Sequence, residues 1–209
     1  MGDQEHKHIS SSDKADLSHT DQGGPSLRES YIAALKEQRE EKNHFFAHDP
    51  YSPIDPSEQK DFEGLNYFEP APEYQYTLTL QRADPESVVF QTNTGDEQAY
   101  HRIGTVEFEV DGEPAELAIY ESVEHGDLFL PFRDATSGKA SYGAGRYVEP
   151  IDLGDDRLLV DFNLAYNPYC AYSPDYSCPL PPIENWLKVP IRAGEKKYKE
   201  EVYDMEENE

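Results

Sequence analysis

Scarce cations and glycines concentrate in one stretch of the chain, residues 128–147. Arg133 and Arg146 lie there among three glycines, in a protein with only 18 Lys and Arg residues. Glycines let backbone amides approach a ligand, and the planar guanidinium of arginine suits a carboxylate or a phosphate. The stretch therefore indicates a pocket for a small anion. The structural alternative is that the arginines pair with internal carboxylates such as Asp134 or Asp161, while the glycines only form a loop.

Both cysteines and the only tryptophan lie in a second unusual stretch, residues 161–186, among tyrosines and five prolines. Proline fixes φ and removes a backbone donor, so this chain segment must be irregular yet rigid. Rigid, irregular loops commonly line binding sites. We therefore treat the two stretches as two walls of one site.

Together the two stretches predict a pocket that binds a small anionic molecule. The predicted lining residues are Arg133, Lys139, Tyr142, Arg146, Asn163, Tyr166, Asn167 and Cys170. The sequence assigns no catalytic residue, no metal ligand and no cofactor to this pocket, and it predicts no oligomeric state. Two alternatives stay open: a thiol- or metal-dependent enzyme that acts on an acidic small molecule, and a protein-interaction module that uses the aromatic loop as its interface.

The two cysteines allow three interpretations. Cys170 and Cys178 could be structural, either as a disulfide that clips the loop or as buried free thiols. They could bind a metal, although zinc usually takes four ligands and a closer cysteine spacing. A thiol nucleophile would need a neighbouring base, and His48, His101 and His125 are all remote in sequence.

With these residues in view, the sequence resembles the domain of unknown function 1684 family. The resemblance runs from about residue 44 to residue 196 and rests mainly on residues 128–139, 142–147, 165–172 and 178–182. It implies a mainly-β domain with a short N-terminal helix. It implies no activity.

The chain is strongly acidic, with 43 Asp and Glu against 18 Lys and Arg and a formal net charge of -25. Such a charge destabilises a compact protein by self-repulsion unless salt screens it, which favours a halophilic, cytoplasmic protein. Nucleic acid is excluded as a partner, because phosphate binding needs a basic face. No signal peptide, membrane span or membrane partner is predicted, since neither a basic start nor about 18 consecutive apolar residues occur.

The elements that must position the site follow from capping and periodicity. Residues 1–25 are predicted to form a disordered acidic tail, residues 26–195 a single mainly-β domain with an N-terminal helix, and residues 196–209 a charged C-terminal tail. Ser26 and Glu29 have the spacing of a capping box, so a helix should begin there and end near Phe45 and Phe46.

Apolar residues then alternate with polar ones from residue 74 to residue 81, which predicts a strand with one buried face. Asp111-Gly112 lies between two alternating runs and predicts a tight hairpin. Further short strands are expected at residues 88–90, 106–110, 117–119, 128–132, 146–148, 158–162 and 187–191. Seven or eight short strands at this spacing predict an antiparallel barrel or sandwich.

Overall fold

The structure is a computed structural model, and it describes residues 13–14 and 25–199. The predicted acidic tail, residues 1–25, lies largely outside the described residues. The same is true of the predicted C-terminal tail beyond residue 199.

One long helix, α1 (Leu27–His48), opens the domain. The predicted capping box is confirmed: the Glu29 amide donates to Ser26 Oγ at 3.2 Å, and the Ser26 amide donates to the Glu29 carboxylate at 2.8 Å. This exchange satisfies two amides that would otherwise have no partner at a helix start. The helix ends two residues after the expected Phe45–Phe46 position and buries Leu35 and Phe46.

The rest of the described chain is mainly β. The strands are β1 (Asp13–Lys14), β2 (Gln75–Thr79), β3 (Gln81–Gln91), β4 (Glu97–Val110), β5 (Glu113–Ser122), β6 (Leu128–Phe132), β7 (Arg146–Val148), β8 (Ile151–Gly154) and β9 (Arg157–Asp161). Short 3-10 turns occupy Gln59–Asp61, Pro72–Tyr74, Phe162–Leu164, Tyr169–Ala171 and Ile183–Asn185. The strands form two antiparallel sheets, in the orders β1-β2-β9-β8 and β3-β4-β5-β6-β7. The predicted fold class is therefore confirmed, with the sandwich as the observed alternative.

The main core lies between the two sheets. Tyr76 and Leu78 of β2 pack in it with Val160 of β9, and Val106 and Leu117 come from the opposite sheet. Alternate residues of a strand point to opposite faces, so the alternation in the sequence becomes one buried and one exposed face. Each large apolar side chain that leaves water here contributes about 1.5–3 kcal/mol before the entropy of ordering is subtracted.

Two hairpin turns use residues with positive φ, and only one of these turns was predicted from the sequence. Asp111 and Gly112, between β4 and β5, both have positive φ, 53° and 84°, as the predicted tight turn requires. The turn between β8 and β9 was not predicted. It also uses positive φ, at Gly154 (79°), Asp155 (52°) and Asp156 (56°).

The strand predicted at residues 187–191 is wrong. This segment is irregular, and it runs beside the loop that follows β6. The Leu187 amide donates to the Arg133 carbonyl, whereas the Ile191 amide donates to the Asp134 carboxylate. Because a side chain takes one of its donors and a proline removes another, the segment cannot continue a strand ladder.

The chain from residue 49 to residue 72 wraps α1 and is held by a second apolar cluster. Phe46 of the helix packs there with Ile54 and Leu65. Polar contacts tie the other side of α1 to the sandwich: the Tyr31 hydroxyl donates to Asp161 at 2.7 Å. The helix is thus fixed across one side of the domain. Over the described residues, none of the helical segments has the length and apolar character that crossing a lipid bilayer requires.

Candidate functional site

The arginine-rich loop, residues 128–147, contains a buried ion pair. Arg146 is only 1% exposed, and its Nη2 donates to the Asp134 carboxylate at 2.9 Å. Its guanidinium also donates to the carbonyls of Ile191, Ala193 and Glu195. Burial lowers the pKa of the Arg146 guanidinium, and Asp134 opposes that shift. Arg146 therefore holds the chain around residues 191–195 in place, as the structural alternative anticipated.

Arg133 and Lys139, the other two predicted cations, do not approach Arg146. The Arg133 guanidinium stacks on the Trp186 ring, with Cζ 4.3 Å from the ring centroid. Its main chain exchanges hydrogen bonds with Asn185 and Leu187. Lys139 lies exposed on a turn. The three cations of the loop therefore do not converge on one point.

A glycine of the same loop is needed for packing. Gly145 has a φ of 111°, and a Cβ atom there would lie 2.6 Å from Cγ of Pro181 and 2.7 Å from the carbonyl oxygen of Phe132. Any other residue would clash with this backbone as well as adopt a disfavoured conformation. The close approach is between two protein segments.

Both predicted asparagines bond to the protein backbone. Asn163 is buried and exchanges two hydrogen bonds of 2.8 Å with the main chain of Ala71. The Asn167 side chain donates to the Lys196 carbonyl at 2.8 Å, and its Oδ1 is buried with no partner among the described residues. Asparagines that replace missing backbone partners in this way fix irregular loops.

The two cysteines are free and adjacent. The Cys170 amide approaches Cys178 Sγ at 3.4 Å, and the Tyr142 hydroxyl lies 3.8 Å from Cys170 Sγ. Among the described residues, no group of three or more His, Cys, Asp or Glu side chains is arranged to hold a metal ion. Of the three interpretations, the geometry is that of neighbouring free thiols.

The two predicted stretches do meet. Tyr147 and Tyr166 exchange main-chain hydrogen bonds of 2.9 and 3.0 Å, and Tyr142 reaches Cys170 from the other stretch. Their contact is a packed seam, because Arg146, Asn163 and Asn167 are buried in it.

A cleft lies beside this seam, between α1 and the sandwich. It consists of adjoining cavities of about 750 Å³ and about 670 Å³. Both cavities are bounded by Lys42, Tyr100, Phe129, Glu149 and Tyr166. Of the predicted pocket residues, Asn163 and Tyr166 line the larger cavity, and Tyr166 lines both.

Arg39 is the least satisfied charged group in the cleft wall. Its Nη1 donates to the Phe68 carbonyl at 2.9 Å, but Nε and Nη2 are buried and have no partner among the described residues. The guanidinium stacks on Tyr67, 4.4 Å from the ring centroid, and the buried Tyr67 hydroxyl likewise has no partner in the described part of the chain. Burial lowers the pKa of Arg39. Buried donors without acceptors cost free energy, so this wall favours an added acceptor.

Next to Arg39, Lys42 is already paired. Its Nζ lies 2.6 Å from the carboxylate of Glu195, which is only 1% exposed. Glu195 also accepts from the Tyr172 hydroxyl at 2.6 Å and from the Asn167 amide at 2.8 Å. Lys42 is the counter-charge of Glu195. Glu195 and Glu69 also raise the pKa of Arg39 against the effect of burial, but neither carboxylate accepts a hydrogen bond from Arg39 Nε or Nη2 among the described residues.

The floor of the cleft is aromatic. Tyr100 stacks on Phe129 at 5.1 Å between ring centroids, Phe129 meets Tyr147 edge-on at 4.8 Å, and Tyr147 meets Tyr166 edge-on at 5.8 Å. The Tyr166 hydroxyl donates to Glu149 at 2.8 Å. Burial raises the pKa of Tyr166, and Glu149 raises it further. Such a series of rings offers apolar faces to a flat or apolar ligand.

Sequence reasoning missed most of this cleft. Its walls come from α1, from the chain near residue 67, from β4 and β6, and from residues 149 and 195, which are far apart in sequence. One signal was present. Arg39 and Lys42 continue the helical spacing that runs from Tyr31 through Leu35 to Phe46, so two cations lie on the stripe that faces the core.

A family model described as "Protein of unknown function (DUF1684)" matches residues 60–196 of this chain. The chain belongs to the DUF1684 family. The resemblance drawn from the sequence is thereby confirmed. The match includes the aromatic floor, both cysteines and Glu195, whereas α1 with Arg39 and Lys42 precedes it.

A solved structure is also similar to this chain. This DUF1684 chain is similar to the solution NMR structure of an uncharacterized protein of Haloarcula marismortui, with 43% sequence identity and a TM-score of 0.61. The similarity covers 80% of this chain and 95% of that chain. A comparison with curated proteins finds no match.

Proposed function

We propose that this DUF1684 protein binds a small anionic molecule with an apolar or aromatic body in the cleft beside α1. The proposal keeps the anionic ligand predicted from the sequence but assigns its recognition to Arg39. The observation that carries it is the Arg39 guanidinium, which has two buried donors without acceptors in a wall of the 750 Å³ cavity.

The preference for an anion follows from the energetics of burial. A guanidinium removed from water loses hydration that a carboxylate or phosphate restores through charge-assisted hydrogen bonds. Lys42 adds a second positive charge to the same wall, although Glu195 shares it. A neutral ligand would add no counter-charge to Arg39, which Glu69 and Glu195 offset without accepting a hydrogen bond from Nε or Nη2.

The preference for an apolar body follows from the floor. Tyr100, Phe129 and Tyr166 line the cleft together, and Leu35 of α1 closes it from above. A flat body against these rings buries apolar surface that water otherwise covers. The expected ligand class is therefore an aromatic or branched aliphatic carboxylate.

The net charge of -25 sets the conditions under which such a ligand binds. At low ionic strength the protein repels anions, whereas concentrated salt screens that long-range repulsion and leaves the short contacts to Arg39. The halophilic, cytoplasmic setting predicted from composition is part of this proposal. The relative from Haloarcula marismortui, a halophile, supports the salt-adapted part of it.

The proposal is tested by calorimetric titration of the full chain in high KCl with two probes of the same shape, phenylacetate and phenylacetamide. The carboxylate should bind, and the amide should bind about 10- to 150-fold more weakly, because one charge-assisted hydrogen bond contributes about 1.5–3 kcal/mol. Arg39→Met should remove the difference between the two probes.

Arg28→Met is the matched control. Arg28 lies on the same helix, but it is exposed and pairs only with Glu73 at 3.6 Å. This variant should keep the preference for the carboxylate. Equal binding of both probes by the unmodified protein, or a preference that survives Arg39→Met, would overturn the proposal.

A further inference from the structure

Two thiols with unequal surroundings lie at the end of the cleft away from Arg39. Cys178 lines the 670 Å³ cavity together with Tyr169, Tyr176 and Tyr147. Cys178 is 8% exposed, Cys170 beside it is half-buried, and the Cys170 main-chain amide donates to Cys178 Sγ at 3.4 Å. The proposed function does not use this pair.

The hydrogen bonds around the pair favour a thiolate at Cys178. Its sulfur accepts from the Cys170 main-chain amide at 3.4 Å. The neighbouring Cys170 thiol, more than any other group, lowers the pKa of Cys178 to about 7. The same neighbour relation raises the pKa of Cys170, which therefore keeps its proton. Cys178 is thus the stronger nucleophile at neutral pH, and Cys170 is the thiol that reacts second.

We propose that Cys178 and Cys170 form a thiol–disulfide exchange site that reduces a small organic disulfide bound at the aromatic end of the cleft. Cys178 is the attacking thiol because it faces the cavity. Cys170 resolves the intermediate because it already contacts Cys178. The aromatic walls select a disulfide that carries apolar or aromatic groups.

The exchange balances without any further reactant. The Cys178 thiolate attacks one sulfur of the disulfide, a new S–S bond forms, and the first small thiolate leaves. Cys170 then attacks the Cys178 sulfur, its proton passes to solvent, and the second small thiolate leaves. The protein dithiol is oxidised to a Cys170–Cys178 disulfide, while the small disulfide is reduced to two thiols.

The test uses the reduced full chain in high KCl with an aromatic disulfide such as 5,5′-dithiobis(2-nitrobenzoate), whose released thiol absorbs visible light, and with cystamine as a cationic, non-aromatic probe. Release is followed from pH 5.5 to pH 9, and the products are weighed by intact-mass spectrometry. The unmodified protein should release two equivalents of thiol and lose about 2 Da, because both thiols end in one internal disulfide. The rate should rise with a midpoint near pH 7, the value set at Cys178.

Three variants separate the roles. Cys178→Ser should react at least about fivefold more slowly at pH 7, since an ordinary thiol is mostly protonated there. Cys170→Ser keeps a hydroxyl donor for Cys178, so it should react at a similar pH but stop at a mixed disulfide. Cys170→Ala loses that donor, so its midpoint should move to higher pH.

The proposal is overturned if Cys178→Ser reacts as fast as the unmodified protein, if the folded protein stops at a mixed disulfide, or if neither thiol reacts before unfolding. Circular dichroism of each variant shows that the compared proteins are folded. Arg39→Met should leave the reaction with cystamine unchanged. Failure of this exchange and failure of anion binding at Arg39 are therefore separate results.

Discussion

Arg146 is a buried arginine and Arg39 a half-buried one whose Nε and Nη2 are buried, and only Arg146 has its buried donors satisfied. Arg146 donates to the Asp134 carboxylate of its own loop and to the carbonyls of residues 191, 193 and 195 in a distant segment. Arg39 donates to one carbonyl in the cleft beside α1 and keeps two buried nitrogens without an acceptor in the described chain. The first arginine stabilises a loop, and the second is suited to hold a ligand.

The comparison shows why a cluster of cations in sequence is a weak sign of an anion site. In residues 128–147 the arginines are close in sequence but serve the internal backbone and Trp186. A ligand site needs a charge that the fold leaves uncompensated. That property depends on acceptors supplied by distant segments, so it shows only in three dimensions.

The largest change in unfolding free energy should come from replacing Arg146. Arg146→Met leaves the buried Asp134 carboxylate without its counter-charge and three carbonyls without a donor, which should cost about 3–5 kcal/mol of unfolding free energy. Guanidinium unfolding in high KCl measures the loss. Arg133→Met, which only loses the stack on Trp186, should cost about 0.5–1 kcal/mol. Equal losses for the two variants would contradict the distinction.

Glu195 contacts both arginine regions, and its replacement should cause the next largest loss of unfolding free energy. Its main-chain carbonyl accepts from Arg146, while its carboxylate accepts from Lys42 and Tyr172. Glu195→Gln should therefore lower the unfolding free energy by about 1.5–3 kcal/mol, the range for hydrogen bonds to charged groups. Glu149→Gln is the control, because Glu149 is exposed and its replacement should cost less than about 0.5 kcal/mol.

Alkaline pH should lower the unfolding free energy by a smaller amount, through the tyrosines in the aromatic floor of the cleft. Burial raises the pKa of Tyr147 and of Tyr166, so both hydroxyls keep their protons in the folded protein after unfolded tyrosines begin to lose theirs near pH 10. The folded state then binds more protons than the unfolded one, and stability is lost as pH rises above about 10. The slope should approach about 1.4 kcal/mol per pH unit for each such tyrosine. Tyr166→Phe should reduce the slope measured by denaturant unfolding.

Removal of Arg39 should have the smallest effect on stability. Arg39→Met loses the bond to Phe68 and the stack on Tyr67, but it also removes a half-buried charge with two unsatisfied donors. These opposing effects should leave the unfolding free energy within about 1 kcal/mol of its original value. A loss as large as that of Arg146→Met would mean that Arg39 is structural too.

Much of the fold was predictable because its signals are local. The capping box at Ser26 begins α1, alternation from residue 74 to residue 80 becomes buried Tyr76 and Leu78, and Asp111-Gly112 makes its turn. The turn at Gly154-Asp155-Asp156 was not predicted, although it too contains a glycine with positive φ as a local signal.

The site was less predictable because its residues meet only after folding. Tyr166 and Cys170 share one loop, against which Tyr147 and Tyr142 of the other stretch pack, but of these two loop residues only Tyr166 lines the cleft. Arg39 and Glu195 were not found, because a helix near one end of the domain and a loop near the other had to be brought together. A cation on the core-facing stripe of α1 was the one local sign.

The most direct measurement is the NMR correlation of the arginine Nε–Hε groups during titration with phenylacetate in high KCl. The Arg39 signal should shift and saturate, because its Nε gains an acceptor, while the signals of Arg133 and Arg146 stay in place. A saturating shift at Arg133 with none at Arg39 would contradict the account and return the anion site to the loop at residues 128–147.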